Sequence, residues 1–329
     1  MPIPSLGLRV YCTVLSLVAL ACVATATHGA EQITPSAMPH SLDGKIWDVR
    51  ARKLVTVTEL TARLAGADFV LLGEVHDNRE HHHFQAMVLA ALVANGARPA
   101  FALEQFDREH QPAIDAALSA HADAETLADA GKFDRKGWVW GNYEPLVQIA
   151  INARLPIVAA NVSRRAAREL SGQGFGLLAA PPDRLALTAV WTGARENALV
   201  RAVVDAHCGQ LPPDAAAPLT RAQRARDATM ADSLLAQRAA GAVLIAGVGH
   251  VRRDIAVPLY LRARAPDSHI VAIGMTEVLA GRDSPSAYEI AAADGSADPV
   301  FDYLWFAPPA DRPDPCAGFT MPQRAPGQN

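Results

Sequence analysis

The sequence predicts an α/β fold with a mainly parallel sheet that is flanked by helices. Two parts of the chain repeat one order of elements: a buried strand, the motif Gly-x-x-His, a helix and a second buried strand. The two copies of the motif are Gly73-Glu74-Val75-His76 and Gly247-Val248-Gly249-His250. The apolar runs around them span residues 68–72, 99–104, 241–246 and 268–274. Strands that alternate with helices along a chain indicate a parallel sheet.

The other elements follow from apolar periodicity and helix caps. In chain order we predict a strand over 45–49, a helix over 58–65 with Thr58 as N-cap, and a helix from Asp77 or Asn78 to Asn95-Gly96. Next come two small helices within 107–136, an aromatic loop over 138–145, a helix over 146–153 and a strand over 156–160. Residues 164–240 are expected to be mostly helical, with 220–240 the longest helix, and 301–306 a last strand. We therefore predict one α/β domain with helical insertions over residues 40–310, then an extended, proline-rich tail over 311–329.

The composition describes a globular protein with ample apolar material for a core. Half of the 329 residues are hydrophobic, 19% are charged, and the net charge is −4. No basic patch points to a nucleic acid as partner, so we expect none.

The N-terminus has the pattern of an export signal. Arg9 precedes an apolar stretch over residues 10–23, which is too short for a confident membrane span, and small residues follow it. We predict a signal peptide within residues 1–30, cleaved after Ala26 or Ala30. A lipid on Cys22, which would attach the protein to a membrane, is the alternative, although Ala19 stands where a lipoprotein signal prefers Leu.

Export would leave two cysteines, Cys208 and Cys316, in the mature chain. Cysteines commonly pair in an oxidising compartment. We predict a disulfide that fastens the C-terminal tail to the body of the protein.

Polar side chains end three of the predicted strands. Glu74, Glu104 and Asn161 each close an apolar run, and ligand sites in open α/β sheets lie at the carboxyl ends of strands. Glycine in the two motifs permits a sharp turn and a close approach to the backbone. His76 and His250 should therefore meet on one edge of the sheet, with both glutamates opening onto the same cleft.

Four of the eleven histidines lie within residues 76–83, beside Glu74. His81 is in step with the apolar stripe of the following helix and is expected to point toward His76, whereas His82 and His83 are expected to be solvated. Imidazole and carboxylate groups together suit a transition metal ion. The predicted metal ligands are Glu74, His76, His81, Glu104 and His250. If the protein is an enzyme, the predicted catalytic residues are Glu74, His76, Glu104 and His250, acting on a metal-bound water.

An aromatic cluster, Trp138, Trp140 and Tyr143, leaves two interpretations open. It could line a planar ligand, or it could cover the core. Arg164 could bind an anionic group. Arg226 and Asp227 lie in the longest predicted helix; either could reach the pocket, but a solvated helix face is the expected environment.

Taken together, these motifs resemble the ChaN family of iron-regulated, haem-binding lipoproteins. That family belongs to a wider superfamily with Tiki, TraB and erythromycin-esterase-like proteins. The resemblance covers about residues 45–310 and rests on Gly73–Asn78 with His81-His82, Leu103-Glu104, Trp140–Pro145, Ala160-Asn161, Arg226–Met230 and Gly247–His250.

The resemblance implies haem as cofactor, a role in haem or iron uptake, and a periplasmic or outer-membrane-attached location. It further implies a homodimer around stacked haems and a tyrosine as iron ligand. Among the tyrosines of the mature chain only Tyr143 lies in a recognised motif, so the implied haem-binding residues are Tyr143, Trp138, Trp140 and Arg164. The Tiki branch implies a metal-dependent hydrolase instead, and a non-catalytic binding module with a degenerate site is the third alternative.

Overall fold

A computed structural model of the chain describes residues 40–178, 181–314 and 316–317, and these residues build a single eight-stranded sheet. The strands are β1 (Ile46–Asp48), β2 (Lys53–Val55), β3 (Phe69–Glu74), β4 (Ala100–Asp107), β5 (Ile157–Asn161), β6 (Ala242–Gly247), β7 (Ile270–Glu277) and β8 (Tyr303–Ala307). Their order across the sheet is β2-β1-β8-β7-β3-β6-β4-β5. Strands β3 to β8 are parallel to one another, while β1 is antiparallel to β8 and to β2. The predicted fold class, α/β with a mainly parallel sheet, is confirmed.

Helices pack on both faces of the sheet. Those of the described residues are α1 (Val57–Leu64), α2 (Arg79–Ala94), α3 (Gln111–Ser119), α4 (Ala124–Ala130), α5 (Trp140–Asn152), α6 (Arg164–Gln173), α7 (Gly193–Ala206), α8 (Pro213–Leu235) and α9 (Val257–Arg264). None of them combines the length and the apolar character that a membrane crossing needs.

The two Gly-x-x-His units are interleaved at the centre of the sheet. Strands β3 and β6 are neighbours, paired from Phe69 with Ala242 to Glu74 with Gly247. From β3 the chain passes through α2 to β4, on the far side of β6, and from β6 it passes through α9 to β7, on the far side of β3. Each unit thus crosses over the first strand of the other, and both motifs begin at the same edge.

The crossovers place α2 and α9 on opposite faces. Val70 and Leu72 of β3 belong to the core cluster that contains α2, whereas Phe69 and Leu71 belong to the cluster that contains Tyr260 of α9. Right-handed crossovers that run in opposite directions along one sheet require this arrangement. The sheet is therefore buried on both faces, which explains why its central strands are continuous apolar runs.

Several predicted boundaries shift, each for a local reason. Helix α1 begins at Val57 because Thr56 and Glu59 form a capping box, so the prediction of Thr58 as N-cap was wrong. Of the two residues predicted as N-cap of α2, Asp77 and Asn78, the structure has Asn78 in that role. The predicted aromatic loop over 138–145 was wrong from Trp140 onward, because α5 begins there and contains Pro145 within the helix. The short antiparallel strand β2 was not predicted.

The predicted disulfide is confirmed. Cys208 and Cys316 are bonded, with their Cα atoms 5.5 Å apart. Upstream of the bond, Arg312 of the tail forms a bidentate ion pair with Glu277 at the end of β7, at 2.8 and 2.6 Å. The side chain of Asn78 donates to Glu277 at 2.7 Å and to the Pro308 carbonyl at 2.9 Å. The tail is thereby fastened to the carboxyl edge of the sheet, beside the start of α2.

Candidate functional site

The two motif histidines lie at the ends of adjacent parallel strands, as predicted. His76 lies in the turn after β3, and His250 lies in a short 3-10 helix, Val248–Val251, directly after β6. The motif glycines make this proximity sterically feasible. A Cβ on Gly73 would lie 2.3 Å from Val251 Cγ2, and one on Gly247 would lie 2.9 Å from His76 Nε2. Each glycine thus leaves space for a residue of the other unit. The sequence-based expectation was that the glycines would let a ligand approach the backbone.

The first imidazole is held by a buried carboxylate. His76 Nδ1 lies 2.9 Å from Glu74 Oε1, and the His76 ring meets Trp138 edge to face with the ring centroids 4.5 Å apart. Burial lowers the pKa of His76, but the Glu74 hydrogen bond and the charge of Glu104 outweigh it, so the pKa is raised. Burial raises the pKa of Glu74, but the bond to His76 and the charge of His82 outweigh it and leave that pKa lowered.

The second imidazole lies between two carboxylates. His250 Nδ1 is 2.6 Å from Asp227 Oδ1, and its Nε2 is 3.4 Å from Glu104 Oε1. Glu104 Oε2 accepts a hydrogen bond from the Gly247 amide at 2.7 Å. Burial opposes protonation of His250, but Glu104 and Asp227 outweigh it and raise the pKa of His250 to about 10. Burial raises the pKa of Asp227 to about 6, even though His250 acts in the opposite direction.

Acidic and imidazole groups therefore alternate across the strand ends, in a set that we call the acid–imidazole row: Glu74, His76, Glu104, His250 and Asp227. Glu104 is the central member, because its charge acts on both histidines. Burial alone would raise the pKa of Glu104, but His250 and then His76 hold it well below its usual range. The row pairs ionised groups of opposite sign, which is how buried charges are tolerated.

Glu74 is surrounded by donors. Its carboxylate accepts from Tyr143 Oη at 2.5 Å, from the Gln85 amide at 2.7 Å and from the Gln105 amide at 3.2 Å. Tyr143 is fully buried, and burial together with Glu74 raises the pKa of its hydroxyl. The Tyr143 hydroxyl is thus directed into the protein interior and supports Glu74.

Above the row lies an open cleft of about 470 Å³. It is lined by His76, Glu104, Gln105, Asp107, Lys132, Asp134, Trp138, Asn161, Ser163, Arg164, Arg165, Gln223, Arg226 and His250. Four of these side chains are cationic. Arg164 is 63% exposed and forms an ion pair with Asp134 at 3.0 Å. The cleft therefore combines two imidazoles, one indole and four cationic side chains, with Asp107 and Asp134 beside them.

The structure brings together only part of the predicted site. His76, Glu104, His250, Trp138 and Arg164 line the cleft. Glu74 does not open onto it but lies buried behind His76, where Tyr143, Gln85 and Gln105 surround its carboxylate. Trp140 and Tyr143 are core residues of α5. Trp140 packs on Phe133 and donates to Glu125 at 2.5 Å.

The predictions for two neighbouring histidines of α2 were wrong. His81 does not point to His76; it is fully buried, accepts the Val75 amide at 2.9 Å, and has a pKa that burial lowers to about 4. His82, predicted to be solvated, is 2% exposed, lies 3.4 Å from Glu74 Oε2 and contacts the His76 carbonyl at 2.9 Å. The reason is that α5 packs against the flank of α2 that carries His82, so the buried stripe of α2 is wider than its apolar residues indicate.

Asp227 was also placed wrongly, since it is 2% exposed rather than on a solvated helix face. One sequence signal could have revealed it. Alanines at a spacing of three, Ala222, Ala225, Ala228 and Ala231, mark the closely packed side of α8. Asp227 lies beside that stripe and is directed toward the end of β6.

The five predicted metal ligands do not converge on one point. Within the described residues, the only group of three or more potential ligands whose atoms all lie within 4.8 Å of one another is Asp107, Glu109 and His110. Across the two units, the structure places His250 Nε2 3.4 Å from Glu104 Oε1.

The fold and the site define a class: an interleaved α/β protein with paired histidines at the sheet edge. A family model described as haem-binding uptake, Tiki superfamily, ChaN, matches residues 60–261. This match spans more than half of the chain, and the chain therefore belongs to the haem-binding ChaN family. Haem is thus the cofactor that family membership indicates.

Comparison with solved structures gives the same fold. The structure is similar to ChaN of Campylobacter jejuni, described as binding haem cofacially, with a TM-score of 0.64, 22% identity, and coverage of 79% of this chain and 95% of that chain. It also matches the type III effector HopBA1 with a TM-score of 0.41, 14% identity, and coverage of 76% of this chain and 91% of that chain. A search of curated proteins finds no significant match.

Proposed function

We propose that this chain is an exported protein that binds haem in the cleft above the acid–imidazole row and serves haem or iron uptake. The observation that carries the proposal is the combination, in one cleft, of a partly exposed imidazole, an indole and four cationic side chains. Family membership supports the choice of haem over other planar anions.

The residues present fit haem. Haem sites need an axial donor, flat apolar contact for the porphyrin and cations for the propionates. His76 offers the donor, Trp138 the flat contact, and Arg164, Arg165 and Arg226 the cations. A volume of about 470 Å³ lies within the range of small-molecule sites. Bound haem would supply an iron centre that accepts an axial ligand and changes oxidation state.

Titration of the purified mature protein with hemin tests the proposal. We expect a saturable shift of the Soret band at micromolar protein. Trp138→Ala should weaken binding by several-fold to about tenfold, because it removes an aromatic contact. Val139→Ala is the matched control, since Val139 is the next residue, is exposed and does not line the cleft. Absence of a saturable shift in the parent protein would refute haem binding.

Export and assembly complete the proposal. The signal sequence and Cys22 lie outside the described residues, and their support is the sequence pattern. Cell fractionation and the mass of the mature N-terminus would locate the protein and its cleavage site, and Cys22→Ala would release it from the membrane if a lipid holds it there. For the proposed homodimer around stacked haems, light scattering should show a doubled mass only after haem is added.

A second candidate function, hydrolysis, is favoured by the acid–imidazole row. Two imidazoles, each oriented through Nδ1 by a carboxylate, face one further carboxylate, and this arrangement suits proton transfer to and from a substrate. In its metal-dependent form this function would require Glu104 and the two histidines to move closer together around a divalent ion, because their ligand atoms do not all lie within 4.8 Å of one another in the structure; the ion would then activate water. Metal analysis of protein purified without chelator should then find an ion in the parent and in His83→Ala, but not in His76→Ala. Equally low metal content in all three would count against this function.

The third alternative is a binding module in which the row only stabilises the fold. In that case His76→Ala would lower the melting temperature and leave haem affinity unchanged. A fall in haem affinity at constant melting temperature would exclude it.

A further inference from the structure

We propose that Asp134 is an internal counter-ion for Arg164, and that a carboxylate of the bound ligand takes its place. Asp134 would thereby lower the affinity of the cleft for planar ligands that carry carboxylates at their edge. This inference rests on the proposed haem function and deepens it, because it names the residue with which the haem propionates compete.

The Asp134–Arg164 ion pair joins two parts of the cleft lining that are distant in the sequence. Asp134 lies in the connection between α4 and α5, and Arg164 is the first residue of α6. Arg164 Nη2 lies 3.0 Å from Asp134 Oδ2. One cation of the cleft is therefore already balanced by a carboxylate of the same cleft.

The other cations of the cleft differ from Arg164. Arg165 pairs with Glu169 one turn along its own helix, at 3.0 Å. Lys132 and Arg226 form no ion pair with any described residue, and Arg226 donates only to the Val162 carbonyl, at 3.4 Å. A ligand with two carboxylates thus meets two unpaired cations, and it gains Arg164 only when Asp134 gives way.

The two carboxylate oxygens of Asp134 have separate partners. Oδ1 accepts from the backbone amides of Lys136 at 3.1 Å and Gly137 at 3.2 Å, and so it supports the turn that precedes Trp138. Oδ2 faces Arg164. Separation of Arg164 from Asp134 therefore leaves the turn, and the indole that follows it, supported.

The pair is weak enough to be displaced. Arg164 is 63% exposed and Asp134 is 38% exposed. Ion pairs between exposed side chains contribute little free energy, because water competes for both partners. A propionate that arrives with a porphyrin ring meets less competition from water, because the ring covers the site and strengthens the attraction between the charges. A ring system without carboxylates makes no such exchange, so Asp134 does not affect its binding.

Gly137 provides the space in which the pair forms. A Cβ on Gly137 would lie 2.7 Å from Asp134 Oδ2 and would overlap the guanidinium of Arg164, and these two side chains supply the nearest atoms to that position. Gly137 is exposed and does not have a positive φ, so its backbone accepts alanine. Gly137→Ala therefore separates the pair and leaves every charge in place.

Titration of the mature protein with hemin and with hemin dimethyl ester, both in the same dilute detergent, tests the inference. Asp134→Asn keeps the Oδ1 acceptor of the turn and removes the charge. Hemin should then bind about two- to fivefold more tightly, whereas the affinity for the uncharged ester side chains should not change. Gly137→Ala should shift hemin affinity in the same direction, and it covers the case in which Asp134→Asn does not fold.

Two further variants separate competition for Arg164 from a general effect of charge. Asp107→Asn is the matched control, because Asp107 lines the same cleft and forms no ion pair within the part of the chain that the structure describes. It should raise hemin affinity by less than Asp134→Asn does. Arg164→Gln should weaken hemin binding several-fold, and in that background Asp134→Asn should bring no gain.

The possible results divide clearly. Unchanged or weaker hemin binding in Asp134→Asn or Gly137→Ala, an equal gain in Asp107→Asn, or a gain that persists beside Arg164→Gln would each overturn the inference while haem binding stands. A gain for the dimethyl ester equal to the gain for hemin would overturn it as well. A parent protein without saturable hemin binding would overturn both proposals.

Discussion

The two Gly-x-x-His units place their histidines alike but hold them differently. In the first unit, the carboxylate partner Glu74 comes from the motif itself, two residues before His76. In the second unit, the corresponding motif position is Val248, and the partner Asp227 comes from α8. The first imidazole is 42% exposed and the second 13%. Both histidines therefore have a carboxylate at Nδ1, although the carboxylate comes from a different part of the sequence in each unit. The histidine whose partner lies in its own motif is the more exposed of the two.

The units also depend on each other. Gly73 leaves room for the turn after β6, and Gly247 leaves room for His76. Glu104, which belongs to the first unit, binds the amide of Gly247 and faces His250 of the second. A change in one unit should therefore be measurable in the other, and the following predictions, in order of expected size, use this dependence.

The largest effect is expected from neutralising the carboxylate that supports each histidine. Glu74→Gln should lower the free energy of unfolding by about 3–5 kcal/mol, because several buried donors lose an ionised acceptor. Asp227→Asn should cost less, about 1–3 kcal/mol, because His250 keeps its contact with Glu104. Urea unfolding at pH 7 measures both changes, and equal costs would show that the two partners are equivalent.

The next effect concerns the disulfide. The loop that it closes contains the second Gly-x-x-His unit but not the first. Its cysteines are 108 residues apart, and closing so long a loop adds about 2–5 kcal/mol to stability. The double variant Cys208→Ser/Cys316→Ser should lose that amount, and its amide protection should fall more in β6–β8 than in β3–β5. Hydrogen exchange read by mass spectrometry checks this. Uniform loss of protection would contradict it, as would two reactive thiols in denatured, unreduced mature protein that has been processed after Ala26 or Ala30 and so lacks Cys12 and Cys22.

A smaller effect is expected at the motif glycines. Gly73→Ala would put a Cβ 2.9 Å from the Val248 Cα, a backbone atom that cannot move freely, so we expect a loss of about 1–3 kcal/mol. Gly249→Ala is the control in the second motif, since nothing lies within 4 Å of its added carbon, and it should change stability by less than about 0.5 kcal/mol. Thermal unfolding of the two variants side by side decides the matter.

The smallest effect is expected from pH, and its sign differs between the units. His81 has a pKa of about 4 in the fold, below its ordinary 6.5. Its contribution to the free energy of unfolding is therefore lost as pH falls, by about 1 kcal/mol between pH 6.5 and 5.5. His250 has a pKa of about 10, so its contribution is complete below pH 6.5 and is lost as pH rises toward 10. The free energy of unfolding, measured with urea at a series of pH values, should depend less on pH below pH 6.5 in His81→Gln than in the parent. Above that pH the two proteins should show the same dependence. A flattened alkaline side would contradict the assignment.

The sequence was most informative where the signal was local. The apolar runs of β3 and β6 and the motifs after them predicted adjacent strand ends, because a strand with two buried faces must be continuous and apolar. The positions of His82 and Asp227 could not be predicted in the same way, because they depend on how α5 and α8 pack, which is set by distant residues. Tyr143 illustrates the limit. Its motif drew attention to it, but only the fold shows that its hydroxyl is used by Glu74.

The bond between Cys208 and Cys316 also has a mechanical consequence. If the folded chain is drawn out by its two ends, tension passes directly from one sulfur to the other and bypasses the stretch between residues 208 and 316, which contains β6, β7 and β8. Fully extended, that stretch would span roughly 350–390 Å. Asp227 and His250 lie inside the bypassed loop, whereas Glu74, His76 and Glu104 lie in the part that bears the load. Under force the row would separate along this division, and of the two units only the first would lengthen.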